Sequence, residues 1–194
     1  MSNSEKLPET FRRQYLRAPL FSDVLYEDDF HVLKAKSLNI SEGGVLIEQL
    51  PHLPEINLMP LMLAIVQTPQ FSGMTRERLM AIRKEDLDRI PIRLKCRIVR
   101  SFEAQSQVDM IFTSFIGCQF VSLPDNTQEL IAKYVEVFAK NVVYLLGLFE
   151  GNVRGSENVH LIRHLADLLG YPADQKISIL RQKVLHSYQS LESL

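Results

Sequence analysis

The chain has 194 residues, of which 46% are hydrophobic and 23% charged, enough for one sizeable core and a small helical appendage. Lys and Arg number 22 against 23 Asp and Glu, so the overall charge favours binding of neither nucleic acid nor anionic lipid, and any site for a polyanion must be local. The two cysteines, Cys96 and Cys118, form no metal-ligand cluster and are expected to be buried in a reducing compartment.

Residues 1–10 are polar and rich in Ser, Glu and Lys, which predicts a flexible leader. They lack the basic-then-apolar order of a signal peptide. The longest apolar run, Leu58 to Val66, is about half of the ~20 residues that a membrane span needs. We therefore expect a cytoplasmic protein without membrane insertion.

Short runs rich in Val, Ile and Leu, separated by turn residues such as Asp28-Asp29 and Gly43-Gly44, predict β-strands. Residues 74–90 break the strand pattern and suit a short helix or a solvated loop, so we expect an insertion at about 68–90. A six-stranded antiparallel barrel closed by a helix would bury the apolar strand faces and satisfy the strand edges. We assign it to residues 11–124, with strands over 20–26, 31–40, 45–48, 61–66, 92–100 and 108–121.

After Leu123-Pro124 the pattern becomes helical, and Asp125 can cap a helix over about 126–149. Two further helices are expected over about 157–169 and 173–191, so that residues 125–194 form a C-terminal helical extension. The first helix carries a heptad-like stripe that could drive homo-oligomerisation, although the later helices are an equally good intramolecular partner. The stripe consists of Ile131, Val135, Phe138, Val142, Leu145 and Phe149.

Two short motifs carry the functional argument. The first is Arg13 to Arg17, preceded by Arg12, and the second is Asn39 to Gly44. Together they resemble the RxxxR and [D/N]xSxxG motifs of the PilZ domain family, in the same order and at a spacing that suits a loop, two strands and a turn. The resemblance extends over roughly residues 11 to 140 and implies a PilZ-like β-barrel that binds cyclic di-GMP.

The resemblance also implies a role for each motif residue. Arg13 and Arg17 would bind guanine and phosphate, Asn39 and Ser41 would complete these contacts, and the glycines would shape the turn. In the family, an arginine directly before RxxxR favours an intercalated pair of nucleotides, so Arg12 predicts two cyclic di-GMP molecules per site. The predicted ligand-binding residues are Arg12, Arg13, Arg17, Asn39, Ser41, Gly43 and Gly44.

These residue types suit such a ligand on chemical grounds. A guanidinium group is planar and permanently charged, so it can pair with a phosphate, bind guanine O6 and N7, or stack on the base. Asn39 and Ser41 are two apart on an extended segment and are expected to share a face, with Ile40 pointing into the barrel. Gly43 and Gly44 permit positive φ and a close approach of the ligand to the backbone.

Other interpretations are less favoured. The arginines alone would suit a solvated basic tail, and Asn39 to Gly44 alone a plain turn, but their combination favours a site. Ser41 lacks the leading glycine of a nucleophile elbow. His160 and His164 are four apart but lack the acidic residue of HExxH. Residues 157–187 weakly resemble the opening helices of HD-type phosphohydrolases, without the His-Asp dyad.

We therefore expect a receptor that catalyses nothing, needs no metal or cofactor, changes conformation on binding cyclic di-GMP and signals through an unknown protein effector. The alternative is a PilZ-like scaffold in pilus or flagellar control that binds no nucleotide. Residues 71–100 hold nine basic and four acidic side chains. We interpret them as a solvated helix face, the alternative being a positive rim near the site or a partner contact.

Overall fold

The computed structural model describes residues 14–105, 112–151 and 156–192, and its strands form a closed barrel. Six antiparallel strands close in the order β3-β2-β5-β6-β7-β4, because β4 also pairs with β3, and the short strand β1 lies against β3. The predicted six-stranded antiparallel barrel is therefore confirmed. The strands are β1 (Ala18–Pro19), β2 (Asp23–Asp28), β3 (His31–Ser41), β4 (Gly44–Glu48), β5 (Leu58–Val66), β6 (Arg89–Gln105) and β7 (Phe112–Phe120).

Several strands differ in extent from the prediction. The predicted strand over 20–26 is strand only from Asp23 onward, as β2, while the short strand β1 lies before it and pairs with a different part of the long strand β3. Strand β5 begins three residues earlier than predicted, and β6 is longer at both ends. The extension of β5 still lies within the apolar run Leu58 to Val66 and pairs with β6. The two extensions of β6 pair with β5 and β7, so cross-strand hydrogen bonds sustain β6 beyond the apolar run that the sequence shows.

Alternation along the strands separates core from surface. In β6, Leu94 and Cys96 are buried whereas Arg93, Lys95 and Arg97 are exposed, as a period of two requires. Cys96 and Cys118 are both buried free thiols. Interaction with the Cys118 thiol, together with burial, raises the pKa of the Cys96 thiol, so both cysteines serve as small core residues.

Helix α2 (Asp125–Glu150) closes the barrel and also packs against the later helices. Pro124 occupies its N-cap position and Asp125 is its first residue, so the prediction that Asp125 caps the helix is wrong in that detail. Its carboxylate still lies at the positive end of the helix dipole. All six residues of the stripe from Ile131 to Phe149 are buried within the chain, so self-association through them would require α2 to leave its place.

The two remaining helices are α3 (Ser156–Leu168) and α4 (Ile177–Glu192). Gly170, with φ of 87°, ends α3: its N–H donates to Asp167 and the N–H of Tyr171 donates to Ala166, which is the Schellman arrangement. Helix α4 begins four residues later than predicted, because residues 173–176 form a turn. No helix in the described part of the chain is long and apolar enough to cross a membrane.

The segment between β5 and β6 contains helix α1 (Arg76–Ala81) and a short 3₁₀ helix over residues 84–86. Two buried or half-buried side chains attach it to the helices. Asn141 in α2 accepts a hydrogen bond from the N–H of Phe71 at 2.8 Å and donates one to the carbonyl oxygen of Pro69 at 2.9 Å. His164 in α3 bonds the carbonyl oxygen of Leu79 at 3.1 Å. The segment therefore packs on the helical layer rather than lying free in solvent.

Candidate functional site

A cleft of about 270 Å³ lies on the outer face of the barrel and is lined by the N-terminal segment and by four neighbouring strands, β3, β4, β7 and β6. It brings together every predicted site residue that the structure describes, and Arg12 and Arg13 lie outside the described residues. Two arginines and no carboxylates are among the described residues that line it. The lining residues are Gln14, Tyr15, Arg17, Asn39, Ser41, Gly43, Gly44, Val45, Leu46, Val99, Arg100, Gly117, Cys118 and Gln119.

An irregularity in β3 determines which way the second motif faces. Ser37 pairs with Ile47 and Asn39 pairs with Leu46, so Leu38 is an extra residue in β3. A bulge of this kind exchanges the two faces of a strand beyond it. Ser37 is accordingly buried on one side of the bulge and Ile40 on the other, while Asn39 lines the cleft. The expectation that Ile40 points into the barrel is met, but only because of this bulge.

Ser41 has a structural contact of its own in the two-residue turn between β3 and β4. It pairs with Gly44 across the hairpin, and its hydroxyl donates a hydrogen bond of 3.3 Å to the carbonyl oxygen of Gly44. The Ser41 residue is only 7% exposed. A hydroxyl has one proton to donate and two lone pairs, so Ser41 can still accept a hydrogen bond from a ligand.

The two glycines of the turn are needed for space rather than for backbone conformation. Neither Gly43 nor Gly44 has a positive φ, so the expectation that they supply one is wrong. A Cβ on Gly43 would lie 2.8 Å from the ring of Tyr15, and a Cβ on Gly44 would overlap the carbonyl oxygen of Cys118. The glycines therefore let the N-terminal segment and strand β7 approach the turn closely.

The N-terminal segment is fixed immediately after Arg17. Ala18 is fully buried and pairs with Ile40, and Pro19 pairs with Asn39. The hydroxyl of Tyr134 in α2 donates a hydrogen bond of 2.6 Å to the carbonyl oxygen of Pro19. Strand β1 thus holds the backbone that follows Arg17 directly beside the second motif.

Leu16 and Arg17 belong to different surfaces although they are adjacent in the chain. Arg17 lines the cleft. Leu16 lies in an apolar groove between α2 and α4, with Tyr144 and Tyr188 among its neighbours, and packs partly buried against the core. The segment that carries the first motif therefore contacts both the candidate site and the C-terminal helices.

Arg100 also lines the cleft, and sequence reasoning did not include it. It pairs with Gly117 beyond a second irregularity, at Val99 in β6, and a Cβ on Gly117 would lie 2.8 Å from its side chain. Its guanidinium carbon lies 5.5 Å from the centre of the Phe102 ring, and that ring stacks on Phe115 at 5.1 Å. An arginine, an aromatic pair and a facing glycine are brought together only by the strand register, so no local motif could have indicated them.

Of the two histidines that were considered as metal ligands, one makes a backbone hydrogen bond and the other is exposed. His164 bonds the backbone of Leu79, so its ring nitrogen acts as a donor there, and His160 is exposed. In residues 14–105, 112–151 and 156–192 no group of three or more His, Cys, Asp or Glu side chains is arranged to hold a metal ion.

Comparison with solved structures finds similar folds. The inhibitor of motility MotI/DgrA of Bacillus subtilis is 17% identical with a TM-score of 0.45, and the match covers 70% of this chain and 55% of that one. The PilZ domain of YcgR from Escherichia coli, solved with cyclic di-GMP, is 13% identical with a TM-score of 0.46, covering 69% and 95%. PlzA of Borreliella burgdorferi, in complex with cyclic di-GMP, is 9% identical with a TM-score of 0.40, covering 72% and 54%. Against MotI/DgrA and PlzA, the match thus spans about half of each protein's length.

Comparison at the level of sequence gives a family assignment. No curated protein matches the chain. The family model of the PilZ domain matches residues 11–137, which is more than half of the chain and includes both motifs and the barrel. The chain therefore belongs to the PilZ domain family.

Proposed function

We propose that the protein is a bacterial, cytoplasmic receptor for cyclic di-GMP, which binds in the cleft beside the β3–β4 turn. The observation that carries the proposal is the meeting of Arg17, Asn39 and Ser41 in one cleft, on a chain whose family is established. The comparisons indicate no enzyme family, and the proposal includes no catalytic step, metal or cofactor.

The chemistry of the cleft suits a dianionic dinucleotide. The described lining has two guanidinium groups and no carboxylate to oppose a phosphate. Guanidinium groups pair bidentately with phosphate oxygens and stack on bases. The amide of Asn39 and the hydroxyl of Ser41 offer hydrogen bonds to base edges or phosphate oxygens. Affinity would come from charge, and selectivity for guanine from these directional contacts.

We assign the individual roles as follows. Arg17 and Arg13 bind phosphate and guanine, Asn39 and Ser41 complete the polar contacts, and Gly43 and Gly44 leave room for the ligand. Arg100 adds a further guanidinium on the opposite wall, where its guanidinium carbon lies 5.5 Å from the centre of the Phe102 ring. The presence of Arg12 before the motif supports a stoichiometry of two nucleotides per site.

Signalling would proceed through the segment that contains both Leu16 and Arg17. Ligand bound to Arg17 restrains this segment, and Leu16 transmits the restraint to the groove between α2 and α4, where it already lies. A ligand shifts a conformational equilibrium only through contacts that differ between the two states. Here the contact that differs is the packing of Leu16 in the groove. A protein effector would bind the surface formed by α2 and α4.

The decisive experiment is calorimetric titration of cyclic di-GMP into the wild type, Arg13→Ala and Arg17→Ala, with GMP and cyclic di-AMP as control ligands. Arg78→Ala is the matched control, because Arg78 is exposed on α1, away from the cleft. We expect micromolar or tighter binding by the wild type and Arg78→Ala, a stoichiometry near two, and loss of binding in both motif variants.

Two results would count against the proposal. A well-folded wild type that binds no cyclic di-GMP would leave the non-binding scaffold as the better explanation. Equal binding by Arg17→Ala and the wild type would place the ligand elsewhere. A stoichiometry near one would refute the pair of nucleotides without affecting the receptor assignment.

A further inference from the structure

A second groove, of about 910 Å³, lies on the outer face of the barrel, away from the cleft. It follows strands β2, β5 and β6, which are neighbours in the sheet. Leu25 and Met62 pair across β2 and β5 at its floor. Residues 121–124, which lead from β7 to α2, form one of its walls.

Large apolar side chains are unusually exposed around this groove. Leu25 is 37% exposed, Leu58 45% and Val32 71%, and all three line it. Phe30, two residues from Val32 in the β2–β3 turn, is 99% exposed. Single exposed hydrophobic residues are ordinary on a protein surface, whereas a contiguous group marks an interaction site.

One edge of the groove is basic. Arg93 and Lys95 line the groove, and Arg97 is exposed farther along the same face of β6. Arg93 pairs with Met62, and Arg97 pairs with Leu58. Within the described residues no carboxylate forms an ion pair with any of these three. These three cations therefore face solvent beside an apolar surface.

We propose that this groove binds a segment of a partner protein in which apolar side chains are flanked by Asp or Glu. The apolar anchors would cover Leu25, Leu58 and Met62, and the carboxylates would pair with Arg93 and Lys95. Such a segment complements the groove, because its apolar side chains suit the apolar surface and its negative charges are opposite in sign to Arg93 and Lys95.

An anionic lipid surface fits these observations less well. The site is concave, whereas a bilayer is flat on this scale. The proposal does not rest on cyclic di-GMP binding, because Arg93 and Lys95 do not line the cleft.

The test selects short peptides from a random display library on the purified wild-type chain. Binding of each recovered peptide is then measured by fluorescence anisotropy to the wild type and to the double variant Arg93→Glu/Lys95→Glu. The matched control is Lys133→Glu/Lys183→Glu, which makes the same charge change at two exposed positions on α2 and α4. We expect peptides enriched in acidic and apolar residues that lose at least about tenfold in affinity for the groove variant and nothing for the control.

Three outcomes would overturn the proposal. These are recovery of no peptides, recovered peptides without an acidic bias, and equal affinity for the wild type and Arg93→Glu/Lys95→Glu. Vesicles containing phosphatidylserine are the parallel probe, and binding to them that the groove variant alone loses would make the groove a lipid surface instead. The urea midpoint of this variant should equal that of the wild type, which shows that it is folded and keeps this test independent of the receptor proposal.

Discussion

The hydroxyl of Tyr134 donates a hydrogen bond of 2.6 Å to the carbonyl oxygen of Pro19, and so connects helix α2 to the segment that carries Arg17. We expect Tyr134→Phe to lower the free energy of unfolding by about 1 kcal/mol, because the Pro19 carbonyl loses its partner. Urea denaturation measures this change. Tyr144→Phe on the same helix is the control, and a loss of equal size there would show that the Pro19 bond contributes nothing specific.

Tyr134 also predicts a dependence of stability on alkaline pH. Burial, with a smaller contribution from Tyr171, raises the pKa of Tyr134 above its ordinary value of 10.0. Below that value the phenol is neutral in both states and the stabilisation is complete. At higher pH the unfolded state ionises first, so stability falls by up to about 1.4 kcal/mol per pH unit for such a group.

The variant Tyr134→Phe should therefore lose stability less steeply than the wild type above pH 10.0, the ordinary pKa of tyrosine. Some slope remains in the variant, because burial also raises the pKa of Tyr171 to about 12. Urea midpoints measured across this range compare the two proteins. Identical slopes would contradict a Tyr134 phenol that stays neutral in the folded state.

Replacing Gly44 tests the close approach of the turn to strand β7. A Cβ there would overlap the carbonyl oxygen of Cys118, which is backbone and can move only if β4 and β7 separate. We expect Gly44→Ala to lower the free energy of unfolding by about 1–3 kcal/mol and to weaken cyclic di-GMP binding, measured by denaturation and calorimetry.

Gly147→Ala is a control that should change the free energy of unfolding in the opposite direction. Gly147 lies inside α2, and no atom beyond its own neighbourhood lies within 4 Å of where a Cβ would be. The substitution should raise stability by about 0.5–1 kcal/mol, because alanine favours the helix. If Gly44→Ala behaved like Gly147→Ala, the assigned packing role of Gly44 would be wrong.

Arg100 provides a test of the opposite wall of the cleft. We expect Arg100→Ala to weaken cyclic di-GMP binding about tenfold, and Arg100→Lys to recover only part of this loss because an ammonium group cannot stack as a guanidinium does. Arg93→Ala, on the same strand but outside the cleft, should bind as the wild type does. Calorimetry that showed Arg100→Ala to bind normally would exclude Arg100 from the site.

Leu16 tests the proposed path to the helices. In hydrogen exchange, saturating cyclic di-GMP should protect residues of α2 and α4 in the wild type. Leu16→Ser should still bind the ligand, yet lose this protection, because a serine gains little from the apolar groove between α2 and α4. Arg17→Ala should lose both binding and protection. Undiminished protection in Leu16→Ser would require another route.

The barrel and its closing helix could be predicted because each depends on short-range periodicity. Alternation in β6 and the stripe in α2 are visible in the sequence itself. The start of α4 at Ile177 could not be predicted in this way. Arg163 donates hydrogen bonds to the carbonyl oxygens of Ala173 and Gln175, and this is a contact between separate segments. Such contacts override a local helical pattern.

The candidate site likewise contains residues that the sequence could identify and one that it could not. Arg17, Asn39 and Ser41 could be identified because they belong to contiguous motifs. Arg100 could not, since it reaches the cleft only through a shift of register between β6 and β7. For the two glycines only the expectation of a positive φ was wrong, because the crowding by Tyr15 and Cys118 is a property of the folded chain.

The extra residue Leu38 shifts the alternation of inward and outward side chains between the two halves of β3. The half of β3 before it contributes Ala35 and Ser37 to the interior, and the half after it contributes Ile40 while presenting Asn39 outward. A relative that kept the motif but had one residue fewer at this point would turn Asn39 toward the core and Ile40 toward solvent. The number of residues between the start of the strand and the motif is therefore as informative about function as the residue types in the motif.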